Sequence, residues 1–201
     1  MAVNNQDELI IPLPIRNFFD NIPNLINPIL NSNNSEFDIN NADILDSADE
    51  ETIELCRMSH KRRKISMNYG LIWQKVIGNF PHWRDLGTGH STGCDLMKED
   101  NSELIELKNR FNTCNSAGKK DVENKLSKHK KDNPNTLCIW GIINAKNNVT
   151  KRKVYRVNGE EIIKWEGRGF LTHIFTYDGI DYSNKIIDIL QKLIQSNVDR
   201  D

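Results

Sequence analysis

The spacing of apolar residues changes several times along this chain, and each change predicts an element. Leu137–Asn144, LCIWGIIN, is a continuous apolar run of the length expected for a buried strand at the centre of a sheet. Asp95–Met97 and Leu104–Lys108 are short runs separated by the polar stretch KEDNSE, which predicts a hairpin. VYRVNGEEIIKW places Asn158-Gly159 between two apolar runs, a second hairpin with a turn chemistry suited to positive φ. Helical spacing takes over elsewhere. Leu71, Ile72, Val76 and Phe80 predict a helix over 68–80, Val122 and Leu126 one over 119–131, and Ile186, Ile187, Leu190 and Ile194 one over 183–196.

The first 60 residues follow no such pattern. FFDNIPNLINPILNSNN is apolar but interrupted by Pro23 and Pro28, which predicts short helical turns rather than one long helix. NSNNSEFDINNAD reads as a loop, and Ser47 with Glu50 has capping-box spacing for a helix from Ala48 to about Met58. The order helix, hairpin, helix, strand, hairpin, helix predicts an α/β or α+β fold with a central mixed β-sheet. No internal repeat is visible.

Charge divides the chain in two. Residues 1–60 hold 11 acidic and two basic residues, net −9, while residues 61–201 hold 25 basic and 17 acidic ones, net +8. An acidic segment followed by a basic working domain of 61–201 is the expected organisation, and a basic surface suits a phosphate-rich partner. The run His60, Lys61, Arg62, Arg63, Lys64 opens the basic part. Length suits one medium-sized domain. The N-terminus has no basic-then-apolar leader, and no apolar stretch is long enough to span a membrane, so a soluble cytoplasmic protein is expected. Cys56, Cys94, Cys114 and Cys138 are scattered without a C-x-x-C pair and read as reduced thiols.

The candidate chemistry lies in STGCDLMKEDNSELIELKNR, residues 91–110. Strand alternation puts Glu106 and Lys108 on one face and Ile105 and Leu107 on the other. A hairpin brings the Asp95 carboxylate beside that of Glu106. Two adjacent carboxylates repel, and a divalent cation relieves the repulsion. Hard oxygen ligands suit Mg²⁺, which also binds substrate phosphate, and Lys108 stands where it could orient or deprotonate a water. Gly93 is expected to admit a phosphate backbone. From Lys108 to Lys131 eight basic residues stand against Asp121 and Glu123. Asn109, Arg110, Asn115, Ser116, Lys119, Lys120 and Lys125 are the candidate DNA contacts within it.

Blander and rival readings use the same residues. An Asp/Glu-x-Lys triplet is common, and Glu123-Asn124-Lys125 is a second copy in a polar helical stretch. Gly89-His90-Ser91-Thr92-Gly93 fits the G-x-S-x-G elbow of serine hydrolases, which would make Ser91 a nucleophile with His173 and Asp178 or Asp121 as partners. No two of the five histidines have the i, i+4 spacing of a zinc pair on a helix. The tryptophans read as core, with Trp83, beside Arg84, the best candidate for an exposed role.

The motifs GHSTGCD, ELIELKNRFNTCNSAGKK, KLSKHKKDNP and CIWGIINA together resemble the core of a type II restriction endonuclease of the PD-(D/E)XK superfamily. Within it the pattern is similar to enzymes cutting GGNCC-like or GGWCC-like sites. The resemblance spans about residues 86–146 and, more weakly, the C-terminal hairpin and helices; nothing in the first 60 residues takes part. It implies a restriction-endonuclease-like core with helices flanking the sheet. It also implies Mg²⁺-dependent double-strand cleavage to 5′-phosphate and 3′-hydroxyl ends, a homodimer matching a two-fold DNA site, and a cognate DNA methyltransferase. By position Asp95 and Glu106 would bind metal, with the Leu107 carbonyl as a further ligand and Lys108 assisting water. Cys94 stands where the superfamily has proline, and Glu51 or Glu54 could supply an upstream acidic ligand. A repair or junction-resolving nuclease on the same core, and a non-catalytic DNA-binding module, are the alternatives.

Overall fold

A computed structural model describes residues 11–31, 68–112 and 114–198. Its centre is a six-stranded mixed sheet in the order β1-β2-β3-β4-β6-β5. The strands are β1 (Trp83–Asp85), β2 (Leu96–Lys98), β3 (Glu103–Arg110), β4 (Leu137–Asn144), β5 (Lys151–Val157) and β6 (Glu160–Glu166). β3, β4 and β6 run parallel, whereas β1–β2, β2–β3 and β5–β6 pair antiparallel. The expected mixed sheet, both hairpins and the central place of β4 are therefore observed. A small two-stranded hairpin, β7 (Thr176–Tyr177) with β8 (Ile180–Asp181), lies outside the main sheet.

Both faces of the sheet are covered by helices. One face offers Ile105, Leu107, Ile139, Ile143 and Ile163 to the larger core, which also takes in side chains of α1 (Leu13–Asn31), α2 (68–78), α4 (Arg168–Ile174) and α5 (Ser183–Val198). The other face offers Leu104, Cys138, Trp140, Ile142 and Ile162 to Val122 and Leu126 of α3 (Ser116–Asp132). Strand alternation sorts these residues, since positions two apart fall on the same side. Gly141 interrupts the bulky run of β4 for a local reason. A Cβ there would lie 2.2 Å from the Phe170 ring of α4, so the glycine lets that helix seat against the strand.

The N-terminal segment departs from the sequence expectation. Instead of short turns, α1 is one 19-residue helix with Pro23 and Pro28 inside it. Ile15, Phe18, Ile22, Ile26 and Ile29 form its buried stripe. Five such side chains contribute roughly 7–15 kcal/mol on burial, against about 3 kcal/mol for each interior proline. Neither proline belongs to the stripe, and Pro28 is exposed. α1 shares one core with the sheet. The helix expected over 48–58 lies outside the described residues, as do the 60–64 cluster, Cys56, Glu51 and Glu54.

Two smaller differences concern β1 and its tryptophan. A short strand that the apolar pattern did not signal precedes the Gly89–Gly93 turn, and Trp83 on it is 5% exposed rather than in an exposed role. Its ring packs in the larger core, with Lys98 Nζ 5.7 Å from its centre.

Candidate active site

β2 ends its pairing with β3 at Leu96↔Ile105, and Asp95 stands just beyond that end. Three backbone-level hydrogen bonds fix it there. Its N–H donates to Ile105 O at 3.1 Å, its carbonyl accepts from Leu86 N–H at 2.9 Å, and its Oδ2 accepts from Leu107 N–H at 2.7 Å. The carboxylate thus satisfies an N–H of β3 that β2 no longer pairs, on the residue next to Glu106. Asp95 also lines a cavity of about 320 Å³ shared with Gly70, Leu71 and Gln74 of α2 and with Leu107 and Asn109.

Glu106 points to the α3 face of the sheet and is 3% exposed. Its Oε1 accepts from Lys108 Nζ at 2.5 Å, the same-face pairing that the alternation predicted. Its Oε2 is buried without a hydrogen-bond partner. Burial, and then the charge of Asp95, hold the Glu106 carboxyl above its ordinary pKa; burial also raises that of Asp95. Burial works against the Lys108 ammonium, but its bond to Glu106 and the nearby acids outweigh this and hold its pKa above the ordinary lysine value. Lys108 Nζ therefore donates to Glu106 here, with its ammonium form favoured. The same field reaches Cys94, whose thiol is pushed up to about 12 by burial and then by Glu106 and Asp95.

The donor set fits a hard divalent cation in one specific respect. A buried carboxylate oxygen with no partner costs free energy unless something binds it, and a cation beside two carboxylates does so while offsetting their repulsion. Among the described residues no group of three or more His, Cys, Asp or Glu side chains converges for a metal. The protein side chains on hand are Asp95 and Glu106, so the remaining positions would go to backbone carbonyl, water and substrate.

The predicted DNA contacts fall into two groups. Asn109 is 8% exposed and accepts from Asn144 Nδ2 at 2.9 Å, and Asn115 caps α3 by accepting from Gly118 N–H at 2.8 Å, so both carry structural hydrogen bonds. Arg110, Ser116, Lys119 and Lys120 lie at the surface near the end of β3 and the start of α3, with Lys119 Nζ 3.7 Å from Glu123. Lys125 stands apart. It pairs with Asp121 at 2.7 Å, its stem lies against Gly93, and its charge acts on Asp95 and Glu106. Gly93 itself has φ 67°, and what closes on it is the Lys125 stem, 3.3 Å from where a Cβ would stand.

Sequence reasoning missed two contributors. Asp85 binds Lys75 at 2.6 Å, Gln74 at 2.7 Å and Gly87 N–H at 2.8 Å, tying α2 and the glycine loop to the strand leading into the site. Trp140 pairs in register with Glu106, and its buried Nε1 has no partner. Both are long-range juxtapositions without a local signature. The hydrolase elbow is not built: Ser91 is an exposed turn residue with no strand directly before it and no helix after it. His173 instead bonds Glu103 at 2.7 Å. A larger cavity of about 1020 Å³, lined by Trp73, Arg110, Phe111, Ile187 and Gln191 among others, includes neither Asp95 nor Glu106.

The profile of the Eco47II restriction endonuclease family matches residues 16–168. The match covers most of the chain, includes the whole six-stranded sheet, and begins within α1, far upstream of the motifs that carry the resemblance. No curated protein matches the chain significantly. Among the described residues, no helix is long and apolar enough to cross a membrane.

Proposed function

The chain belongs to the Eco47II restriction endonuclease family, a class of nuclease that cuts DNA at specific sites, and from that premise we propose a Mg²⁺-dependent type II enzyme whose centre is Asp95, Glu106 and Lys108. The observation carrying this reading is the pair of carboxylates at the split between β2 and β3, with Glu106 Oε2 buried and unpartnered beside a lysine held at 2.5 Å. Asp95 and Glu106 would hold the ion, which when bound supplies Lewis-acid polarisation of the scissile phosphate.

The chain's own residues do the rest. Lys108, positioned by Glu106 Oε1, orients the attacking water and donates a hydrogen bond toward the charge growing on the phosphoryl oxygens. Leu107 N–H holds Asp95 in place. Water adds to phosphorus and gives up a proton to solvent, the P–O3′ bond breaks, and the 3′ oxygen takes up a proton from solvent, leaving 5′-phosphate and 3′-hydroxyl ends. Arg110, Ser116, Lys119, Lys120 and Lys125 supply the basic approach for the duplex. A homodimer cutting a GGNCC- or GGWCC-like palindrome in the cytoplasm, beside a methyltransferase that protects the host, completes the reading.

Digestion of a sequenced plasmid with Mg²⁺ tests it, followed by mapping of the ends. Discrete fragments that all end at one sequence, lost in EDTA, are expected. Binding without any cutting would favour a non-catalytic DNA module, and preference for branched over linear duplex would favour a junction nuclease.

A further inference from the structure

Register carries the candidate centre across the sheet. On the α3 face Glu106 pairs with Trp140, Trp140 with Lys164, and Lys164 with Lys153 on β5. One step along, Lys108 pairs with Ile142, Ile142 with Glu166, and Glu166 with Lys151. Contacts agree that this is the catalytic face. Lys164 Nζ lies 4.9 Å from the centre of the Trp140 ring, and Tyr155, two residues after Lys153, donates its hydroxyl to Glu123 of α3. Arg152, between the two lysines, takes the opposite face, with its guanidinium 5.1 Å from the Trp165 ring.

The charge on this strip is net positive. Glu166 pairs with Lys164 at 2.6 Å and offsets one amine. Lys151 and Lys153 are exposed and have no acidic partner within ion-pair distance among the described residues. Neighbouring strands lie about 4.8 Å apart, so Lys153, three strands from Glu106, is about 14 Å away. One strand of B-DNA carries about four phosphates over that length of axis.

We propose that Lys151, Lys153 and Lys164 form a phosphate track on β6 and β5 that holds one DNA strand beside the Asp95–Glu106 centre, the buried Trp140 and Ile142 beneath α3 lying between the two. The inference rests on the nuclease reading and adds a binding surface to it. Lysine is a flexible point charge suited to phosphate rather than to base edges, so the track contributes affinity and not sequence choice. Lysines on an edge strand also discourage edge-to-edge pairing, a role that would leave DNA affinity untouched.

The test compares two double variants of equal charge loss on the same strand: Lys151→Gln with Lys153→Gln, and Arg152→Gln with Arg156→Gln on the other face. Each is titrated into a fluorescent mixed-sequence duplex in EDTA at KCl from about 50 to about 200 mM, with circular dichroism melts confirming the fold. The lysine pair should flatten the slope of log affinity against log salt by about 1.8 and weaken binding about 10- to 100-fold. The arginine pair should stay near wild type. An unchanged slope in the lysine pair, or equal loss in both pairs, overturns the track. A wild type that binds and cuts DNA while the lysine pair behaves identically removes only this inference. A wild type that neither binds nor cuts removes the nuclease reading beneath it.

Discussion

Asp95→Asn separates catalysis from stability at a single atom. Asparagine keeps an oxygen for the Leu107 N–H, which Asp95 Oδ2 accepts at 2.7 Å, while removing one charge from a half-buried acid beside a buried one. Leu96 pairs with Ile105 in an antiparallel ladder, so Asp95 and Glu106 occupy the next opposed position. Their Cβ atoms are then about 5 Å apart, where two unit charges at an effective dielectric of about 20 repel by about 3 kcal/mol. Lys108 is then the diagonal neighbour of Asp95, about 7 Å away, and attracts it by about 2 kcal/mol on the same scale, leaving a net relief of about 1 kcal/mol. For a chain of this size that raises Tm by about 2–4 °C. In EDTA the variant should therefore melt above wild type, while in Mg²⁺ its plasmid cleavage should fall at least about 10³-fold below wild type. Ca²⁺ at about ten times its Kd should stabilise wild type by about 1.4 kcal/mol and the variant far less. A variant melting well below wild type would contradict the repulsion, and one that keeps both the Ca²⁺ shift and the cutting would remove Asp95 from the centre.

Three further outcomes follow from the same geometry. Lys108→Met should abolish cutting by about 10²–10³-fold with duplex binding in EDTA reduced less than 10-fold, read by gel shift beside a cleavage assay; retained cutting would exclude Lys108 from the chemistry. Glu103 is 6% exposed, and although burial opposes its charge, hydrogen bonds from His173 and Lys98 hold its pKa below the ordinary glutamate value of 4.5. Its contribution is full above that value and fades as pH falls through the depressed folded pKa, so Glu103→Gln should cost about 1–3 kcal/mol near neutrality and progressively less in acid, measured by urea melts across pH. A Gly141→Ala Cβ would meet the Phe170 ring at 2.2 Å, so this change should cost about 1–3 kcal/mol, with Phe170→Leu in the same chain recovering part of it in thermal melts.

Local pattern made much of this legible. The apolar run of β4, the Asn-Gly turn between β5 and β6, and the i, i+4 pair Val122 and Leu126 in α3 each specify an element with nearest-neighbour physics. Alternation alone also set Glu106 and Lys108 on one face, and the structure brings them to 2.5 Å. Where local rules were outvoted, burial did it. The prolines of α1 argued for broken turns, but an isoleucine-rich stripe buried in the larger core sustains the helix, and Trp83 beside an arginine went into the core.

What the sequence by itself determined is the set of strands and helices and the chemistry each can present, because these depend on residues two to four positions apart. Only the tertiary structure decided which chemistries meet. Asp95 caps the Leu107 N–H because β2 stops short of it, and Trp140 lies beside Glu106 because β4 runs parallel to β3 in one register. The lysines of β5 face the same side because β6 inserts between β4 and β5. Strand order and register are set by the packing of both sheet faces at once, a sum over distant residues that no local window contains.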